Sequence, residues 1–375
     1  MSVADLLHRV HCQGARRSYC LFIKLGPGEF RHVNKPSSGD TRRLPIVSAS
    51  PKIDVESAAS HSTLDASVVP AARSRIAAYV ALTKPRIIEL LLVTTVPVMF
   101  AAAHGFPRLW VVLITVLGGT LAAAGANAFN CVLDSDIDAH MKRTATRPTV
   151  TGEITRRAGF AFATILSASS VVLLAFGANL LSASLAGSAI VTYVVGYTMV
   201  LKRRTSQNIV WGGLAGCFPV LIGWAAVAGQ LTIAAWVLFA LVFLWTPAHY
   251  WPLSMKYRED YANAGVLAAT SVVTRAVLGY TIAAVVVAAV YGFIVQAGWA
   301  YWALSALAGL WFVTESWALA QSAKTVTPGA EVSAAAVSHG QDLPLVPARA
   351  MRVFHVSISY LALVFLAVGL DPFIH

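Results

Sequence analysis

The chain predicts an all-α, polytopic membrane protein of about nine transmembrane helices, bundled around a central cavity open to the cytoplasmic side. Three observations carry this. Of 375 residues, 57% are hydrophobic and 12% charged, about half the charged share of a soluble domain. Apolar runs of about 20 residues recur, each long enough to cross a bilayer. Basic residues gather in alternate connections between those runs.

Residues 1–75 are polar, with Arg, Ser, Pro and scattered His, and hold no sustained period or compact apolar signal core. Glu29, Asp40, Asp54, Glu56 and Asp65 weaken a transit-peptide reading. The expectation is a disordered amino-terminal extension, followed by a nine-helix membrane domain over 76–375. Within it the apolar runs lie near 87–104, 109–138, 158–177, 179–201, 208–228, 232–253, 276–296, 298–320 and 353–371. The stretch 321–351 is Ala-, Ser- and Pro-rich and reads as a connector.

Lys142, Arg143, Arg147, Arg156 and Arg157 follow the second run, and Lys202, Arg203 and Arg204 the fourth. Lys256, Arg258 and Arg275 surround the loop after the sixth; Lys324, Arg349 and Arg352 lie before the ninth. The positive-inside rule therefore puts the amino terminus in the cytoplasm. The Ala- and Val-rich runs favour a bacterial plasma membrane over a mitochondrial inner membrane. The net charge of +11 suits an anionic leaflet and an anionic ligand; no aromatic–basic motif points to nucleic acid. Cys12, Cys20, Cys131 and Cys217 have no C-x-x-C spacing and support neither a disulfide framework nor a zinc site.

The second run ends in Asn127-x-x-Asn130-x-x-x-Asp134-x-x-x-Asp138. On a helix these four side chains fall within an arc of about 80°, with Asp136 pointing the other way. Carboxylates at the end of an apolar helix are costly and mark function by default. Oxygen ligands one turn apart suit Mg²⁺ held together with a substrate phosphate. The bland alternative is a polar helix end emerging into water.

Other stretches carry two readings each. Arg86, in Leu82-Thr83-Lys84-Pro85-Arg86-Ile87, is either a membrane anchor or a diphosphate ligand. Lys202 and Arg203 are topological charges, or an anion clamp if they face the acidic run. Gly212, Gly213, Gly216 and Gly223 suit close helix packing. His249, in Trp245-Thr246-Pro247-Ala248-His249-Tyr250-Trp251, is a packing residue or a ligand. Glu259 and Asp260 form a solvated charge run or a second set of metal ligands.

The acidic run, with Arg143-Thr144-x-x-Arg147-Pro148 after it, resembles the first acidic motif of the intramembrane, UbiA-type prenyltransferases. Lys202-Arg203-x-Thr205-x-x-Asn208 and Trp245-Thr246-Pro247-x-His249, leading to Asp260-Tyr261-x-x-Ala264-Gly265, resemble the haem-modifying branch of that family. The likeness covers residues 76–371. Two departures stand out. That branch continues after Gly265 with a Pro-Met-bearing run, where this chain has Val266-Leu267-Ala268-Ala269-Thr270. Tyr257 and Tyr261 also stand where other branches carry acids.

The resemblance implies an enzyme that moves a farnesyl group from farnesyl diphosphate to a vinyl group of protoheme IX and adds water, giving haem O for terminal oxidases. It implies Mg²⁺ as cofactor, on Asn127, Asn130, Asp134, Asp138 and Asp260. Arg86, Arg143, Arg147, Lys202 and Arg203 would hold the diphosphate, and His249 would contact the haem. The implied partners are both substrates, the lipid bilayer and a downstream haem A synthase. The runner-up readings are prenylation of another aromatic acceptor, such as a quinone precursor, and a cation-coupled transporter.

Overall fold

The computed structural model describes residues 22–24, 30–32, 74–139, 144–202, 208–256, 270–323 and 345–374. Lys142, Arg143, Arg203, Glu259, Asp260 and the run after Gly265 lie outside them, as does the side chain of Arg86. The chain divides into two units, Met1–Val69 and Pro70–His375. In the first, strand β1 (Phe22–Lys24) pairs antiparallel with β2 (Phe30–His32), Phe22 opposite His32.

Among its described residues, every regular element of the second unit is a helix. A short helix α1 (Arg75–Thr83) starts at Ser74, whose hydroxyl accepts from the Ala77 amide at 3.2 Å. It buries Ala78 and Leu82 and turns Ile76 outward, an amphipathic pattern suited to lying along an interface. The first spanning rod, α2 (Pro85–Ala103), follows after one residue, with Pro at its first position. The second rod is α3 (Leu109–Leu133), extended by one turn, α4 (Ser135–Asp138). The third is α5 (Arg156–Gly177). The fourth begins as α6 (Leu180–Val191) and continues as a π-helix, Thr192–Leu201. The fifth comprises α7 (Asn208–Gly212), a 3₁₀ stretch at Gly213–Cys217 and α8 (Phe218–Ala228). The remaining four rods are α9 (Ile233–Lys256), α10 (Thr270–Val295), α11 (Trp299–Ser322) and α12 (Leu345–Ile374). Eight rods among the described residues are long and apolar enough to cross a membrane; α2 adds a shorter apolar stretch, Leu92–Ala103. Among the described residues, the rods thus number nine, as expected.

Contacts at the rod ends show which turns share a side. The Asn179 amide donates to the Ala225 carbonyl at 2.7 Å, joining the turn before α6 to the last turn of α8. Asp371, near the end of α12, accepts from the Gly298 amide at 2.9 Å. Phe373 packs on Phe106, ring centroids 4.6 Å apart, in the turn after α2. The last rod thus ends beside the end of the first, as an odd number of alternating rods requires.

Among the described residues, three hydrophobic clusters hold the bundle. The largest joins α2, α8, α9, α10, α11 and α12 around Leu238, Phe312, Tyr360 and Phe365. The smaller sets lie between α3, α5 and α6, and under α1, where Tyr79 packs on Phe162. The α3–α5 contact depends on missing side chains. A Cβ at Gly125 would strike the Ser167 hydroxyl and sit 3.0 Å from the Ser167 backbone nitrogen and 3.1 Å from the Ala163 carbonyl. Neither backbone atom can move without parting the helices. Gly125→Val is therefore expected to destabilise by about 1–3 kcal/mol or more. Thermal unfolding in detergent reads this as a clear fall in Tm; an unchanged Tm would show that α3 and α5 do not pack as described.

Candidate active site

The end of α3 was expected to continue helically to Asp138. Instead α3 ends at Leu133, and Asp134, with φ −94° and ψ 6°, hinges it to α4. The hydrogen-bond register survives the hinge: the Asp134 amide donates to the Asn130 carbonyl at 3.0 Å, and the Asp138 amide to the Asp134 carbonyl at 2.8 Å. Asn127, Asn130, Asp134 and Asp138 are consequently all buried, and Asp136 is exposed. The face inferred from helical spacing is the face the fold buries.

Each buried carboxylate has a cation. The Lys202 ammonium lies 2.5 Å from Asp134 Oδ2. Arg147 pairs with Asp138, and the Thr144 hydroxyl donates to the Asp138 carbonyl at 2.9 Å. The Thr149 hydroxyl donates to the Cys131 carbonyl at 3.0 Å, folding this loop back against α3. A third cation, Lys84, donates to Asn130 Oδ1 at 2.7 Å. Burial lowers the Lys84 ammonium to about 8, and an arriving anion would raise it again. Among the described residues, three cations against two carboxylates leave a formal surplus of positive charge, an arrangement suited to an anionic ligand.

The amides are engaged at both ends. Asn130 Nδ2 donates to Asp134 Oδ2 at 2.6 Å and to the Thr198 hydroxyl at 3.2 Å. Asn127 Nδ2 donates to the Thr83 carbonyl at 3.0 Å, and its oxygen accepts from the Tyr193 hydroxyl at 3.5 Å. One atom stands apart: Asp134 Oδ1 is buried and has no hydrogen-bond partner among the described residues. A buried carboxylate oxygen without a donor is costly. A hard cation is a partner its chemistry fits, and carboxylate oxygens of this kind suit Mg²⁺. No group of three or more His, Cys, Asp or Glu gathers among the described residues; Asp260 lies outside them.

Lys84, Tyr193 and Thr198 were not among the residues expected from sequence. Lys84 sits in the same short motif as Arg86, the residue expected to hold the diphosphate. Tyr193 and Lys202 are nine residues apart, so a regular α-helix would put them on opposite sides. The π-helix closes hydrogen bonds over five residues, as from the Lys202 amide to the Tyr197 carbonyl at 2.9 Å. At roughly 4.4 residues per turn, nine residues make two full turns, and both side chains face α3. No 3.6-residue period in the sequence could have revealed this.

His249 is stacked between Trp245 and Phe354, with centroids 4.4 and 4.6 Å away, and its Nδ1 is 2.8 Å from the Ser357 hydroxyl. Trp245 donates to the Ser357 carbonyl at 2.8 Å, so the Trp-Thr-Pro-x-His stretch ties α9 to α12. A Cβ on Gly213 would come within 2.5 Å of the Thr246 methyl, which supports the packing reading of the glycine-rich fifth rod.

The model of the UbiA prenyltransferase family matches residues 91–328, well over half the chain. Protoheme IX farnesyltransferase of Paenarthrobacter aurescens is 52% identical over 302 residues, 79% of this chain and 89% of that protein. The Streptomyces coelicolor protein of the same name is 47% identical over 306 residues, covering 80% and 92%. Among solved structures, a digeranylgeranylglyceryl phosphate synthase superimposes with a TM-score of 0.62 at 16% identity, covering 80% of this chain and 98% of that one. A UbiA homolog from Archaeoglobus fulgidus, bound to GPP and Mg²⁺, gives 0.51 at 15%, covering 78% and 99%. At such identities these two show a shared fold and no more. The chain belongs to the UbiA prenyltransferase family, among the protoheme IX farnesyltransferases.

Proposed function

We propose that this chain transfers the farnesyl group of farnesyl diphosphate to a vinyl group of protoheme IX, with addition of water, at the buried carboxylate cluster around Asp134. The observation that carries this reading is that cluster: two buried carboxylates with a cation on each, and one carboxylate oxygen left open. The acceptor rests on relatives about half identical to this chain that are named for protoheme.

Asp134 and Asp138 would hold the metal, joined by Asp260 from the loop outside the described residues. Asn127 and Asn130 are expected as further ligands from their spacing; Asn130 also orients Asp134 through its Nδ2 hydrogen bond, and Asn127 ties the Thr83 carbonyl beside the cluster. When bound, Mg²⁺ supplies positive charge to the diphosphate oxygens. Lys202 and Arg147, with Arg86, Arg143 and Arg203, take up the charge that develops as the allylic C–O bond breaks. The electron pair of the vinyl group then forms the new carbon–carbon bond to the farnesyl cation. Water adds to the carbon beside the pyrrole ring and releases a proton, leaving a hydroxyethylfarnesyl chain and free diphosphate. The site must keep water from the first cation and admit it to the second, which a helical bundle within the membrane favours. His249 is proposed to contact the haem from its stacked position. The cluster would lie at the cytoplasmic side of the cell membrane, with haem O passing to a haem A synthase.

Membranes containing the protein, given farnesyl diphosphate, Mg²⁺ and either protoheme or 4-hydroxybenzoate, distinguish the acceptors by mass spectrometry. A farnesylated, hydrated haem is expected and no prenylated benzoate. Prenylation of the benzoate alone would move the chain to quinone chemistry. Turnover requiring an imposed ion gradient would favour the transporter.

A further inference from the structure

We propose that Lys84 is a positioning residue: acting through Asn130, it determines which oxygen of Asp134 is left open to the ligand. This rests on the reading of Asp134 as a metal and diphosphate ligand.

The chain of contacts has one consistent orientation. An ammonium has only donors, so at 2.7 Å it selects the oxygen end of the Asn130 amide. The amide's two N–H groups must then point away from Lys84, and both find acceptors, Asp134 Oδ2 and the Thr198 hydroxyl. Asp134 Oδ2 receives a second donor from Lys202. Oδ1 is what remains, buried and without a partner among the described residues. Without Lys84 the Asn130 oxygen loses this donor, the amide is anchored on its nitrogen side alone, and it can tilt, changing the direction from which it holds Asp134 Oδ2.

The backbone supports the assignment independently. Lys84 has φ 53° and ψ 65°, a left-handed conformation that suits glycine better than lysine. It is the single residue between α1 and α2, and α3 holds the chain just before it. The Asn127 amide grips the Thr83 carbonyl at 3.0 Å, and the Cys131 thiol approaches the Leu82 carbonyl at 3.8 Å. The one turn of α3 from Asn127 to Cys131 thus both sets the backbone of this junction and, at Asn130, receives its side chain. A lysine in a position made for glycine is explained by what its ammonium does.

The test is a double-mutant cycle on the full-length protein in detergent, reading Tm without metal and pyrophosphate binding by calorimetry with and without Mg²⁺. Lys84→Gly is expected to keep or raise Tm, because it relieves the backbone. It should weaken Mg²⁺-dependent pyrophosphate binding by about tenfold or more, as loss of a group that orients a ligand does. Asn130→Ala should do the same, and the double variant should be no worse than Asn130→Ala alone. Losses that multiply in the double variant would overturn the proposal and make Lys84 an independent charge on the anion. A steep fall in Tm for Lys84→Gly would also overturn it, by making the residue a structural brace. Asp134→Ala serves as the control for the underlying reading: unchanged pyrophosphate binding there removes the site itself, whatever the cycle shows.

Discussion

Asp134→Ala and Asp138→Ala are each expected to lower haem O formation by about a hundredfold or more while leaving the protein folded in the membrane. Each side chain is buried at the cluster, and each alanine removes a carboxylate that a metal and diphosphate need. The cations left behind, Lys202 and Arg147, retain 24% and 20% side-chain exposure, so water partly solvates them once their partners are gone. Asp136→Ala provides the contrast. Its side chain is exposed, and surface substitutions cost within about 0.5 kcal/mol, so turnover should stay within about threefold of the parent. The measurement is haem O per unit of membrane-inserted protein. Equal losses at all three positions would mean that the buried face has no special role.

Lys202→Met is the second large expected effect, and it separates stability from function. Asp134 is fully buried, and its Oδ2 depends on the Lys202 ammonium at 2.5 Å. Removing that ammonium leaves a buried carboxylate without its counter-charge, a change that costs about 3–5 kcal/mol in other proteins. In EDTA, Lys202→Met should therefore unfold at clearly lower temperature than the parent. Lys202→Met combined with Asp134→Asn removes both charges, and most of the lost stability should return. Activity should not return, because neither the anion-binding cation nor the ligand carboxylate is restored. Recovery of turnover in the double variant would show that the pair serves packing alone.

Much of the architecture was legible because membrane helices obey a length rule and a charge rule that act on single segments. The nine apolar runs, the alternation of their ends and the burial of Asn127, Asn130, Asp134 and Asp138 all follow from counting along one helix. Contacts between distant segments were less accessible. Arg86 is the diphosphate candidate of its motif, yet Lys84, two residues earlier, is the cation brought to Asn130, because one left-handed residue turns the chain between α1 and α2. Lys202 was legible as a charge but not as the partner of Asp134, and Tyr193 was not legible as a partner of Asn127. Those pairings depend on the π-helical winding of Thr192–Leu201, which shifts every side chain relative to the usual period.

By itself, then, the amino-acid order determined the class of the molecule and the acids placed on one helical face, since hydropathy and helical repeat are local properties. The tertiary structure decided which cation meets which carboxylate, how the two amides are turned and which oxygen of Asp134 is left open. These outcomes depend on side chains 46 and 68 residues apart meeting within hydrogen-bond distance, and no local pattern encodes such a meeting.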